Sequence, residues 1–402
     1  MEHSDFETSR KWTKATWLFV LGIVCISFTM RSPLTSVGPI VEILRENLHI
    51  SNVVAGFITT IPLLAFALVS PFVPKVSRRI GIERALFVSM FMLGIGVILR
   101  SLGDSTMLYI GTVLIGVGIA FSNVLMPSII KLRFPLQIGL LTAIFTVSMN
   151  VTASVAAGVS YPIATTALGW QGSLSIWLVF IIIAIIIWFP QTKQSDHTST
   201  AHLAGEPPKK KIWQYPLTWA LTFSMGFQSF LFYTTVAWVP AMLVEQGLSA
   251  SASGAMFSVL QLSQIPMTFI VPILAGRTRD QRPLVIMFSL FYLIGFGGLL
   301  LEWTTLTWLW MVFLGLAGGA SFGICMMLFS VRARNAYEAA ELSGFGQSIG
   351  YLLAATGPVL YGYVYDHSTN GFHSANFVYL AVAIILFLFS YVSAKDRYVT
   401  ND

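Results

Sequence analysis

Arg31 stands alone in a long apolar stretch, WLFVLGIVCISFTMRSPLTSVGPIVEIL (17–44), whose only other charge is Glu42 near its far end. At a rise of ~1.5 Å per helical residue, Arg31 lies roughly 25 Å from Lys14 and roughly 16 Å from Glu42. In a hydrocarbon slab ~30 Å thick that depth is at or slightly beyond the midplane. A guanidinium there costs on the order of 2.5–3.5 kcal/mol on an insertion scale, and it keeps its proton. It therefore needs water, a protein partner or an anionic ligand. Two readings are open. One is a structural arginine bonded to helix carbonyls. The other is a hook for an anion or a strong dipole, which a planar fork of five donors suits well. Glu42 is about three helical turns away on the same predicted helix, too far for a direct pair. The remaining carboxylates fall in tails, loops or span ends.

Other polar residues sit at comparable depth. Gln228 occupies the half-repeat position near Arg31, with Thr235 seven residues on and so on the same helical face. Gln261 and Gln264 are three apart on one face, and serve either a cavity or helix–helix hydrogen bonds. Thr146 and Asn150 are four apart, as are Gln347 and Tyr351, and an offset of 201 superposes the two pairs. Matched polar pairs on repeat-related helices favour a shared central cavity. Asn123 is a weaker candidate nearer a helix end. Tyr233 and Trp238 are either site residues or packing and interfacial aromatics. Pro39 and Pro358, with Pro33, Pro62 and Pro266, can bend helices by deleting backbone bonds. Cys25 and Cys325 read as small core residues. No metal cluster, catalytic triad or phosphate loop is visible, no cofactor is implied, and an enzyme is not expected.

The elements that must position these residues follow from composition. Of 402 residues 55% are hydrophobic and 10% charged, against about 25% charged in an ordinary soluble domain. The chain reads as an all-α integral membrane protein with twelve transmembrane helices, near 16–44, 53–74, 84–101, 106–130, 138–166, 172–190, 215–245, 251–275, 283–301, 305–330, 338–365 and 374–394. These divide into a tail (1–15), a six-helix bundle (16–190), a polar linker (191–214), a second six-helix bundle (215–394) and a tail (395–402). The first apolar run is too long for a cleavable leader. With the N-terminus in the cytoplasm, 20 of 23 Lys and Arg residues fall in tails and loops on that side. Arg45 and Arg100 lie on the other side, and Arg31 lies in the membrane. That bias predicts both termini inside, in a multi-pass plasma-membrane protein. The net charge of +6 is therefore an orientation signal, and no nucleic-acid partner is implied. The expected partners are the lipid bilayer and a small solute, around a monomeric chain.

The halves repeat at an offset near 200: GVGIAFSNVLMPSIIKLR (116–133) lines up with GLAGGASFGICMMLFSVR (315–332), and PFVPKVSRRIGIERAL (71–86) with VPILAGRTRDQRPL (271–284). Six crossings per half make the repeat parallel, which places a substrate path between the halves. MRSPLTSVGP (30–39), RRIGIER (78–84), QSFLFYTTVAWVP (228–240) and LSGFGQSIGYLLAATGP (342–358) resemble the major facilitator superfamily, and within it the cyanate permease and 2-nitroimidazole transporter family. The resemblance implies a gating role for Arg78, Arg79, Gly81 and Arg84 between spans two and three. It implies the same for Arg277, Arg279 and Asp280 in the second half. Many superfamily members carry Asp where this chain has Arg78, while Asp280 stands beside Arg277 and Arg279. The expected function is alternating-access transport of a small anionic or strongly dipolar, cyanate-like solute with Arg31 as hook. The alternative is export of neutral nitroimidazole-like antimicrobials. A membrane-embedded enzyme or a receptor stands further off.

Overall fold

The computed structural model describes residues 13–50, 52–193, 210–302, 304–369 and 371–401, so most of the 191–214 linker and of the 1–15 tail lie outside the described residues. The described residues form helices joined by short turns, with no strand among them. In chain order they are α1 (Lys14–Thr35), α2 (Val41–Leu48), α3 (Asn52–Val69), α4 (Val73–Ile80), α5 (Ile82–Arg100), α6 (Ser105–Arg133), α7 (Ile138–Ala164), α8 (Gly169–Ser175) and α9 (Leu178–Thr192). After the linker come α10 (Pro216–Glu245), α11 (Ala250–Arg277), α12 (Arg282–Leu300), α13 (Thr307–Val331), α14 (Ala336–His367) and α15 (Phe372–Ser393).

Their boundaries have local causes. Thr13, Asp104, Ser249 and Asn335 cap α1, α6, α11 and α14 by accepting from a backbone N–H three residues on. Proline opens α10 and α12, where a missing N–H costs no intrahelical bond. Gly81, at φ +91°, separates α4 from α5. Among the described residues eleven segments are long and apolar enough to cross a membrane. α14 is not one of them: its 32 residues reach about 48 Å, but Gly344, Gly346, Gln347, Ser348 and Gly350 dilute its hydropathy.

Two expected spans are interrupted. The first helix stops at Thr35 instead of running to Leu44, because Gly38 and Pro39 start a separate 3-10 turn. Glu42 is thus on a different helix from Arg31. The sixth span is broken between Ser175 and Leu178. Arg100 is the last residue of α5. It is 1% exposed, and its Nη1 donates to the Pro33 carbonyl near the end of α1, 2.6 Å away.

The repeat is visible in how glycines seat helices. A Cβ on Gly116 of α6 would stand 2.6 Å from the Ala65 Cβ of α3. A Cβ on Gly315 of α13 would stand 2.6 Å from the Ser263 Cβ of α11, at matching sequence offsets. Both crossings bring backbones closer than any larger residue allows. α1 to α9 pack among themselves and α10 to α15 likewise, with α7 against α11 and α14 against α3 and α6 joining the two sets. Outward faces carry exposed apolar residues such as Ile186 and Val359, as expected of a lipid-facing belt.

Candidate functional site

Where the two sets meet, a cavity of about 10 Å³ surrounds the Arg31 side chain, with room for about one water. α1 presents Arg31 half-buried from one half; α10 and α13 present Phe232 and Phe322 from the other. The guanidinium carbon lies 5.6 Å from the Phe232 ring centre and 5.4 Å from the Phe322 ring centre. Each contact is worth about 0.5–2 kcal/mol, depending on how dry the site is. Among the described residues no carboxylate comes within ion-pairing distance of Arg31, and its side-chain donors have no hydrogen-bond partner. The alternative of a structural arginine bonded to helix carbonyls does not match this geometry.

Gln228, Gln264, Asn150, Tyr233 and Tyr351 line the same cavity, together with Ser229. Asn150 donates from Nδ2 to Thr268 Oγ1 at 3.1 Å, so α7 and α11 are tied at the level of the cavity. Gln264 donates from Nε2 to Gln261 Oε1 at 2.5 Å; Gln261 supports the wall without forming it. Tyr351 packs against Phe66 of α3, ring centres 4.9 Å apart.

The other sequence candidates stand elsewhere. Thr146 bonds back to the Thr142 carbonyl at 2.8 Å and reaches the Thr268 carbonyl at 3.4 Å. Gln347 donates to the Asn123 carbonyl at 3.0 Å and to Ser343 Oγ at 2.8 Å, so it joins the halves below the cavity, one helical turn from Tyr351. Trp238 donates to the Pro358 carbonyl at 2.9 Å, away from the cavity. Phe232 and Phe322 escaped sequence reasoning, since phenyl rings in apolar spans carry no mark of function. Phe232 stands four residues after Gln228 and so on the same helical face, which was the available signal.

Below the cavity, toward the end that carries the basic loops, the halves are stitched together. Arg78 Nη2 meets Glu341 Oε1 at 2.6 Å, and Arg78 also lies over the Tyr337 ring. Lys131 Nζ donates to the Ser330 carbonyl at 2.9 Å, Ser330 Oγ to the Pro127 carbonyl at 2.8 Å, and Ser348 Oγ to the Ala67 carbonyl at 2.6 Å. Gly139 and Gly276 meet where α7 crosses α11. Every hydrogen bond between the halves that joins described residues lies at the cavity or on this side of it. Asp280 pairs with Arg282, not with Arg277 or Arg279, which are exposed. The Arg282 side-chain hydrogen bonds hold the Asp280 carboxyl below the usual carboxylate range. Arg79 is exposed, and Arg84 reaches the Thr192 carbonyl at 3.4 Å within its own half.

Comparison with known proteins agrees with this architecture. The chain is 40% identical over 391 residues to an uncharacterized transporter of Bacillus subtilis (strain 168), covering 97% of this chain and 96% of that one. It is 33% identical to the 2-nitroimidazole transporter of Escherichia coli (strain K12), covering 94% and 96%. It is 26% identical to a cyanate transport protein of the same organism, covering 92% and 96%. Its fold superposes on the proton:xylose symporter XylE bound to 6-bromo-6-deoxy-D-glucose with a TM-score of 0.78 at 14% identity, over 96% of this chain and 98% of that chain. The Major Facilitator Superfamily model matches residues 18–358. The chain thus belongs to the major facilitator superfamily and is a membrane transporter, not an enzyme.

Proposed function

We propose that the protein carries a small anionic or strongly dipolar solute across the cell membrane by alternating access, with Arg31 as the group that captures it. One observation carries the reading: a permanently charged guanidinium projects into a cavity between the halves, faced by two phenyl rings and by no carboxylate. An unbalanced charge in a nearly dry site favours a ligand that supplies the missing acceptor. The two bundles, 16–190 and 215–394, rock about this point in a monomer whose termini both face the cytoplasm. The basic end is then the cytoplasmic end, and the Arg78–Glu341 and Lys131–Ser330 contacts close it. The relatives named for cyanate and for 2-nitroimidazole support a small polar solute. Among the described residues no carboxylate lines the cavity to carry a coupling proton. The solute brings its own, or transport is facilitated or an exchange.

The test is uptake of radiolabelled cyanate and 2-nitroimidazole into proteoliposomes. Losing charge-assisted hydrogen bonds of about 1.5–3 kcal/mol predicts that Arg31→Ala slows transport roughly 10- to 100-fold. Undiminished transport removes the hook. Export of a neutral nitroimidazole is the second reading, favoured by the phenyl faces around Arg31 and by the 33% identical relative.

A further inference from the structure

Arg31 stands in a turn of α1 that the helix itself holds poorly. Pro33 has no N–H, so the Thr29 carbonyl loses its intrahelical donor. Two residues later α1 stops at Thr35, and the carbonyls of a last turn meet no helical N–H. The hook therefore lies between a missing bond and a helix end. The Ser36 N–H closes back on the Ser32 carbonyl at 3.1 Å. The next carbonyl, that of Pro33, accepts from side chains: Arg100 Nη1 at 2.6 Å and Ser36 Oγ at 3.3 Å. A cation on the final carbonyls of a helix makes a charge-assisted bond and also meets the negative end of the helix dipole. The anchor behind that bond is firm. Gly111 of α6 lies so close to α5 that a Cβ there would stand 2.5 Å from the Arg100 backbone nitrogen. α1 packs mainly on α7 and α9, and the Arg100–Pro33 bond ties its C-terminal end to the α5–α6 pair.

For stability alone Arg100 is a poor choice. It is sealed from water, and its Nε and Nη2 are buried with no hydrogen-bond partner among the described residues. An apolar side chain of similar length fills such a place at lower cost. Arg100 is also not part of the wall of the Arg31 cavity. We infer that Arg100 is a positioning residue for transport: through the Pro33 carbonyl it fixes the last turn of α1, and with it the direction in which Arg31 enters the cavity. The inference rests on the reading of Arg31 as the hook. At its tip that guanidinium has two phenyl faces and no acceptor, so its aim is set by the backbone that carries it. A turn left free to fray spreads the fork over many directions and lowers the fraction of time it meets a solute correctly.

A double-mutant cycle on the full chain tests this, read as initial rates of cyanate and 2-nitroimidazole uptake into proteoliposomes. Arg100→Met is expected to slow uptake about tenfold, and Arg100→Lys, which keeps a charged donor, to stay within about threefold of wild type. In an Arg31→Ala background, Arg100→Met is expected to change the residual rate by less than about twofold, because the residue it aims is gone. Arg100→Gln keeps a donor without the charge; a loss of about threefold there covers the case in which the methionine variant does not fold. Hydrogen exchange in detergent gives a reading that needs no solute: Arg100→Met is expected to speed exchange over residues 31–37 about fivefold and to leave α10 unchanged. Wild-type uptake or wild-type exchange in Arg100→Met overturns the positioning role. So does an equal tenfold loss in the Arg31→Ala background, which makes the two arginines independent. Undiminished uptake by Arg31→Ala sinks the hook and this inference with it, whereas failure at Arg100 alone leaves the hook standing.

Discussion

Arg332 ends α13 with 1% of its surface exposed, and its donors are committed: Nε to the Ser393 carbonyl at 3.1 Å, Nη2 to the Ala394 carbonyl at 2.7 Å and to Gln281 Oε1, with Asp396 at 3.7 Å from Nη1. Arg31, four residues before the end of α1, has two ring faces and no acceptor. The repeat sharpens the contrast. The counterpart of Arg332 is Arg133, bonded to the fully buried Glu83 at 2.5 Å, where the C-terminal half has Gln281. Both halves therefore saturate an arginine at the basic end, one with a charge and one with a neutral amide. Arg332 and Arg133 are supplied with acceptors by the chain. An arginine left without them at membrane depth is available to something from outside.

That contrast can be broken at either residue. Arg332→Met strands three buried acceptors and is expected to cost about 3–5 kcal/mol, read as a large fall in Tm in detergent. Arg31→Ala loses only the two ring contacts and is expected to lower Tm by less, while slowing transport roughly 10- to 100-fold; a fall in Tm as large as that of Arg332→Met makes the two arginines alike and ends the distinction. A smaller effect is expected at Arg78 and Glu341, whose side chains are 38% and 26% exposed. A partly exposed pair is worth about 0–1 kcal/mol, so Glu341→Gln shifts the closed population at the basic end by at most about fivefold. Spin-label distances across that end measure the shift. Exchanging the charges, Arg78→Glu with Glu341→Arg, restores it if the pair acts as a latch. The smallest effect is at Asp280. Its carboxyl is held low by Arg282, so the pair persists above that depressed pKa and is lost only in strong acid. Asp280→Asn is expected to leave the transport profile between about pH 5 and 8 unchanged, and a shifted profile would restore it as a gating acid.

Sequence depth alone singled out Arg31, and the half-repeat led to Gln228, Asn150 and Tyr351, because polar groups in an apolar run stand out and the offset fixes their level. Rotation about a helix axis is harder to see. Gln347 and Tyr351 share a face, yet one helical turn separates a stitch between halves from a cavity wall. Glu341 read as an ordinary span-end acid, since nothing local connects it with Arg78, 263 residues earlier. The long first span was misjudged because hydropathy carries on through Pro39 while the helix does not.

Arg100 bears on how the chain is assembled. Its guanidinium meets the Pro33 carbonyl, 67 residues earlier in the chain, at the end of the molecule opposite the basic loops. A nascent α5 that reaches the bilayer alone presents a bare cation at its tip. In the folded bundle α5 packs on α6 and α9, and the end of α1 reaches over to supply that tip with a carbonyl acceptor.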